Sequence, residues 1–184
     1  MRRTTAALGS LVFFFVAPGV VAYLVPFLLA QGQREAWRFD PPVLKWAGLA
    51  LGIAATIALI ECFARFALKG LGTPAPIAPT EHLVVTGLYR HVRNPMYVAV
   101  VAIILAQAMW FASIGVLIYA AVVWAAFTAF VMLYEEPTLS RTFGEEYAAY
   151  RAHVRRWIPR ISPWYAPPNA ASEGPTPQSG DGRA

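Results

Sequence analysis

From Met96 to Tyr134 the chain runs for 39 residues without a single charged side chain. As one straight helix this stretch would be roughly 58 Å long, about twice the ~30 Å hydrocarbon thickness of a bilayer. A run that long has to turn back on itself. The spacing predicts the reversal around Trp110–Gly115, where Ser113 and Gly115 are small and Trp110 suits the headgroup level. Two membrane-spanning helices, over 96–111 and 114–134, follow from that.

The rest of the chain fits the same solvent. Of its 184 residues 58% are hydrophobic and 14% are charged, whereas about a quarter of a soluble domain is charged. Disorder of the bulk is excluded by the hydrophobicity, and a disulfide scaffold by a cysteine count of one, Cys62. Ala6–Ala30 carries no charge and reads as a first span, with Pro18, Gly19 and Pro26 inside it. Such breakers are tolerated where neighbouring helices satisfy the backbone. Arg2 and Arg3 precede this run as they would a signal peptide, but a cleaved signal has an apolar core of about 7–15 residues, so a retained span is expected. A second span covers 43–68. The expected fold is therefore an all-α integral membrane protein with about four transmembrane helices, 6–30, 43–68, 96–111 and 114–134, and a cytoplasmic amphipathic C-terminal helix. Residues 1–165 form a single domain, and 166–184, rich in Pro, Gly, Ser and Ala, read as a disordered tail.

Orientation follows from the Lys/Arg asymmetry. With four spans, Arg2, Arg3, Arg65, Lys69, Arg90, Arg93, Arg141, Arg151, Arg155, Arg156 and Arg160 share one side. The other side holds Arg34, Arg38 and Lys45, offset by Glu35 and Asp40. Both termini are expected in the cytoplasm, with the protein in a bacterial inner (plasma) membrane. The net charge of +5 then reflects topology and contact with anionic lipids rather than nucleic-acid binding.

Two segments on the basic side hold the unusual polar residues. Lys69–Pro95 begins with Gly and Pro signals that rule out regular helix over "GTPAPIAPT". It ends with Arg90, His91, Arg93 and Asn94 before Pro95, and Asn94 and Pro95 suit the cap and first turn of a helix. Glu135–Pro163 places Phe143, Tyr147, Tyr150, Val154 and Trp157 at helical spacing on one apolar face. Glu135 and Glu136 stand at the end of the last span, where adjacent carboxylates are costly without a cation. Pairing with Arg90 or Arg93 and recognition of a cationic ligand both answer that cost. Glu61 sits near the basic end of the second span, four residues before Arg65, so the pair can neutralise locally. His82, His91 and His153 have no ligand spacing, so no metal is expected.

The combination "GTPAPIAPTEHLVVTGLYRHVRNPMY", an apolar hairpin, then "EEPTLSRTFGEEYAAYRAHVRRWIP" resembles the isoprenylcysteine carboxyl methyltransferase family. The phospholipid N-methyltransferases share the signature more loosely. The resemblance covers about Gly70 to Pro159. It implies a membrane-embedded methyltransferase that uses S-adenosylmethionine at its cytoplasmic face, with a lipid-like or prenylated small substrate entering from the bilayer. Carried over by position, the resemblance puts Glu81, His82, Leu83, Val84, Tyr89, Arg93, Asn94, Pro95, Met96, Tyr97, Glu135 and Glu136 around the cofactor and names no catalytic side chain. Two positions depart from the family's pattern: Asn94 replaces a histidine, and Val131 stands where the prenylcysteine enzymes carry an arginine thought to address the substrate carboxylate.

The chemistry of the residues agrees. Two carboxylates suit the cofactor's amine, Arg90 or Arg93 suits its carboxylate, and Tyr89, Tyr97, Tyr147 and Tyr150 suit an apolar slot for the nucleoside. Methyl transfer is an in-line displacement in which positioning is the protein's main contribution. The competing readings are an NADPH-dependent membrane reductase of the sterol-reductase type, whose phosphates ask for more cations than carboxylates, and a non-enzymatic membrane protein, which leaves the clustered polar segments without a use.

Overall fold

The computed structural model describes residues 18–32, 42–69 and 83–165. Within them the protein is all-helical, with no β-strand element. A π-helical turn, Val20–Leu24, leads into α1 (Val25–Gly32). Next come α2 (Pro42–Lys69), a 3-10 turn at Gly87–Arg90, α3 (Pro95–Phe111) and α4 (Ile114–Phe130). A second π-helical turn, Val131–Glu135, joins α4 to α5 (Glu136–His153).

The long apolar run breaks where the backbone has a reason to leave the helix. Ala112 adopts a left-handed conformation (φ 47°, ψ 46°) and closes α3. Ser113 opens α4, its Oγ accepting from the amide of Val116 at 3.3 Å, which satisfies one of the amides a helix start leaves free. The chain then returns: the Tyr97 ring, at the start of α3, lies 4.7 Å from that of Phe127, near the end of α4. The first and last turns of the run thus meet at one end of the molecule.

Two of the helices are long and apolar enough to cross a bilayer, Pro42–Arg65 and the continuous helical stretch Ile114–His153. Val20–Gln31 and Pro95–Phe111 are apolar and shorter. The protein is thus all-helical, with two helices of spanning length among its described residues, where the sequence predicts about four spans. The N-terminal part of the first expected span and the expected tail, 166–184, lie outside the described residues.

The closest packing is between α2 and α3, and its basis is two glycines four residues apart on α2. A Cβ on Gly48 would sit 2.8 Å from the Ala106 carbonyl oxygen and 3.0 Å from the Met109 Cβ, and one on Gly52 would sit 3.3 Å from the Ala106 Cβ. This is the small-residue contact through which helices gain dispersion energy where no hydrophobic drive exists. Around it Ala55, Leu59, Ala99, Val100, Ile103, Ile104, Val116 and Ala120 form the buried core. Because the obstacle at Gly48 is backbone, Gly48→Ala is expected to lose about 1–3 kcal/mol, while Gly52→Ala stays near neutral. Thermal unfolding of both variants in detergent checks this: a clear fall in Tm for Gly48→Ala alone is the expected result.

Candidate functional site

The site gathers where the hairpin's two ends meet. Tyr97, in the first turn of α3, donates its hydroxyl to Glu135 Oε2 at 3.0 Å. Glu135 ends the π-helical turn and Glu136 begins α5. Adjacent helical positions point about 100° apart, so the two carboxylates aim in different directions. Glu135 faces the α3 side, whereas Glu136 is buried against the segment that follows α5.

Two arginines hold Glu136 through three contacts. Arg156 donates from Nε to Oε1 at 2.7 Å and from Nη2 to Oε2 at 2.8 Å, the bidentate fork that guanidinium and carboxylate geometry favours. Arg93 Nη1 lies 3.0 Å from the same Oε1 and also donates to the Tyr147 hydroxyl at 3.2 Å. Burial pushes the Glu136 carboxyl up, but the Arg156 hydrogen bonds and the Arg93 and Arg156 charges prevail and hold it below its ordinary value. Glu135 behaves oppositely: burial pushes its carboxyl above the ordinary value, the Tyr97 hydrogen bond opposes this, and the charge of Glu136 adds to the rise.

Beneath these carboxylates the stretch before α3 is strapped to the stretch after α5. The Arg93 amide donates to Arg155 O at 2.9 Å, the Arg160 amide to His91 O at 2.9 Å and the Trp164 amide to Arg90 O at 3.1 Å. The partners run in opposite directions, so this is a short antiparallel backbone pairing. Side chains extend it: His91 Nδ1 donates to Arg160 O at 2.8 Å, and Asn94 Nδ2 to Arg156 O at 3.3 Å. Asn94 therefore makes no side-chain cap for α3; its amide fixes the backbone of the residue that clamps Glu136. The Tyr150 hydroxyl donates to Tyr89 O at 2.7 Å, and Tyr147, Tyr150, Val154 and Trp164 form a small second core against Leu83 and Val85. Burial pushes the Tyr89 phenol well above its ordinary value, with Cys62, Glu135, Tyr150 and Tyr97 adding to the rise.

Of the residues named from the sequence, Tyr89, Arg93, Asn94, Tyr97, Glu135 and Glu136 come together here. Leu83 packs into the second core, Val84 is half-buried beside it, Pro95 is buried in the first turn of α3 and Met96 packs against the main core. Glu81 and His82 lie outside the described residues. The expected apolar face of the last helix holds for Tyr147 and Tyr150, but α5 ends at His153. Val154 is buried from an extended cap position, and Trp157 lies beyond the helix against Trp124, ring centroids 4.6 Å apart. Gly144 (φ 47°, ψ −118°) breaks α5 internally. Sequence reasoning missed the role of Arg156, because five arginines between Arg141 and Arg160 look alike until the chain's return after His153 brings one of them to Glu136.

These elements also hold what a small zwitterion needs. Glu135 is a half-buried carboxylate whose protein partner is neutral. Arg90 keeps a buried Nε without a partner among the described residues, its guanidinium 4.3 Å over the Tyr165 ring. No group of three or more metal-binding side chains occurs among the described residues.

Comparison with known proteins agrees with this architecture. Residues 43–146, more than half of the chain, match the family model described as phospholipid methyltransferase. Curated proteins and solved structures gave no match.

The Glu136 clamp has a pH signature. A carboxyl whose folded value is depressed contributes stability above its unfolded value, and that contribution is lost as pH falls through the folded value. Acidification below the usual carboxylate range is therefore expected to release 154–164 from the stretch before α3. Glu136→Gln, which leaves two guanidinium groups without their buried counter-charge, is expected to cost about 3–5 kcal/mol. Hydrogen exchange of the Arg93, Arg160 and Trp164 amides checks both: protection drops in the variant at neutral pH, and acid then changes it little further.

Proposed function

Because the chain belongs to the phospholipid methyltransferase family, we propose that it is an S-adenosylmethionine-dependent membrane enzyme that methylates a lipid-like acceptor reaching the site from the bilayer. The observation that carries this reading is the division of labour between the two adjacent carboxylates. Glu136 is saturated by Arg93 and Arg156, which leaves Glu135, paired to a neutral phenol, to meet a cationic amine. The cation for the cofactor's carboxylate is then Arg90 rather than Arg93, since Arg93 is committed to Glu136 and Tyr147. When bound, S-adenosylmethionine supplies an electrophilic methyl group on sulfur. The protein's own part is to orient it, to keep water out with Tyr89, Tyr97 and Tyr147, and to hold Glu135 charged against it.

The same distribution of charge disfavours the reductase reading. NADPH phosphates need free cations, and the arginines nearest the carboxylate pair, Arg93 and Arg156, are themselves bound to Glu136. The acceptor is better taken as a phospholipid with an amine head than as a prenylcysteine. Val131 is neutral and fully buried, and a substrate carboxylate placed there would be desolvated without a counter-charge. Four crossings, with both termini and the site on the cytoplasmic face, complete the proposal.

Tritiated methyl transfer from S-adenosylmethionine in nanodiscs tests it with two acceptors. Phosphatidylethanolamine is expected to be methylated and acetyl-farnesylcysteine is not; turnover on the prenylcysteine alone would overturn the choice of acceptor. Glu135→Gln removes a charge-assisted hydrogen bond of about 1.5–3 kcal/mol, so cofactor affinity is expected to fall on the order of 10–150-fold. With the wild type, affinity rises with pH as Glu135 ionises, over a range shifted above the ordinary carboxylate value. Calorimetry showing equal affinity for wild type and variant would remove Glu135 from the site.

A further inference from the structure

A second polar junction lies beside the cofactor site, and the proposed reaction does not yet use it. Glu61 and Arg65, one turn apart near the basic end of α2, are paired through Arg65 Nε and Glu61 Oε1. Gly87 is pressed against both side chains, so closely that a Cβ there would overlap the guanidinium and the carboxylate. A Cβ there would displace both side-chain ends, and the φ of 57° at Gly87 is one that side-chain-bearing residues seldom adopt. The junction is left incomplete. Glu61 Oε2 and the hydroxyl of Thr86, the residue before Gly87, are buried and find no partner among the described residues. Buried polar atoms are costly without a hydrogen bond, and a carboxylate oxygen can be satisfied only by a donor.

An apolar row on α2 points toward this junction. A groove of about 360 Å³ opens between the α1 end of the chain, α2 and α3. Leu49, Ile53 and Ile57 line it along α2, spaced four residues apart, and all three are exposed. The next residue of that row is Glu61. From Leu49 to Glu61 is about 18 Å along the helix axis, an extent suited to an acyl chain. The groove's lining stops at Ile57, one helical turn short of a carboxylate with one unmet oxygen, and this order of apolar row and acid matches an amphiphile. The cofactor residues are close: the Tyr89 phenol is neighboured by Cys62, next to Glu61 in the chain, and by Glu135.

Resting on the methyltransferase reading, we propose that Glu61 is a positioning residue for the methyl acceptor. Its Oε2, with the Thr86 hydroxyl, receives the ammonium head of an amine lipid whose chain lies in the Leu49–Ile57 groove. This also separates substrate from end product. A primary ammonium donates hydrogen bonds to Oε2, whereas a quaternary ammonium has no N–H to give.

Two measurements test the site apart from the cofactor. In nanodisc kinetics, Glu61→Gln is expected to raise KM for phosphatidylethanolamine about 10-fold or more, with kcat at saturating lipid and the S-adenosylmethionine Kd little changed, and Glu61→Asp is expected to recover part of the loss. An unchanged KM overturns the proposal. So does a loss of kcat and cofactor affinity together with KM, which marks a structural role. Absence of cofactor binding by the wild type would instead refute the methyltransferase reading itself. Native mass spectrometry of wild type and Ile57→Trp gives an answer should Glu61→Gln not fold. Wild type is expected to retain phosphatidylethanolamine in preference to phosphatidylcholine and phosphatidylglycerol, and the groove-filling variant to lose that preference. Equal retention of all three by the wild type overturns the assignment.

Discussion

One buried carboxylate joins three separate parts of this chain. Glu136 stands where α4 gives way to α5, Arg93 where the 3-10 turn gives way to α3, and Arg156 where the chain turns back after α5. Removing any one leaves charge in a region of low dielectric, where it is expensive. The backbone pairing of 90–93 with 155–164 lies directly against this triad. The clamp thereby converts a loop and a tail segment, neither with a regular fold of its own, into a fixed floor for the site.

The clamp also leaves the two neighbouring acids in different surroundings. Two adjacent carboxylates at a membrane boundary would repel each other if both faced one way. Successive helical positions point about 100° apart, and that rotation separates them. Glu136 spends its charge on structure, and Glu135 keeps its own behind a single phenolic hydrogen bond. The sequence alone shows two equal acids; the difference between them comes wholly from direction.

What could be read from the chain was whatever solvent or covalent geometry dictates locally. The uncharged run had to reverse, and it breaks at Ala112–Ser113. Pro95 opens α3, as a residue with no amide to lose in the first turn should. Contacts that depend on distant chain were not legible. Asn94 has the chemistry of a cap, yet its amide is drawn to Arg156 O from 62 residues away. Trp157 has helical spacing with Tyr150 and Val154, yet the helix has ended and the ring meets Trp124. Glu61 looked neutralised by Arg65, and only the approach of Gly87 shows that one of its oxygens is enclosed and unmet.

The central claim is that this floor holds a cofactor with one amine to satisfy rather than one with several phosphates. Ligand-induced stabilisation in detergent measures that directly, with S-adenosylmethionine and NADPH added separately to the purified protein. Binding to the native state raises Tm in proportion to affinity. The account predicts a concentration-dependent rise with S-adenosylmethionine and none with NADPH. Stabilisation by NADPH alone would contradict it.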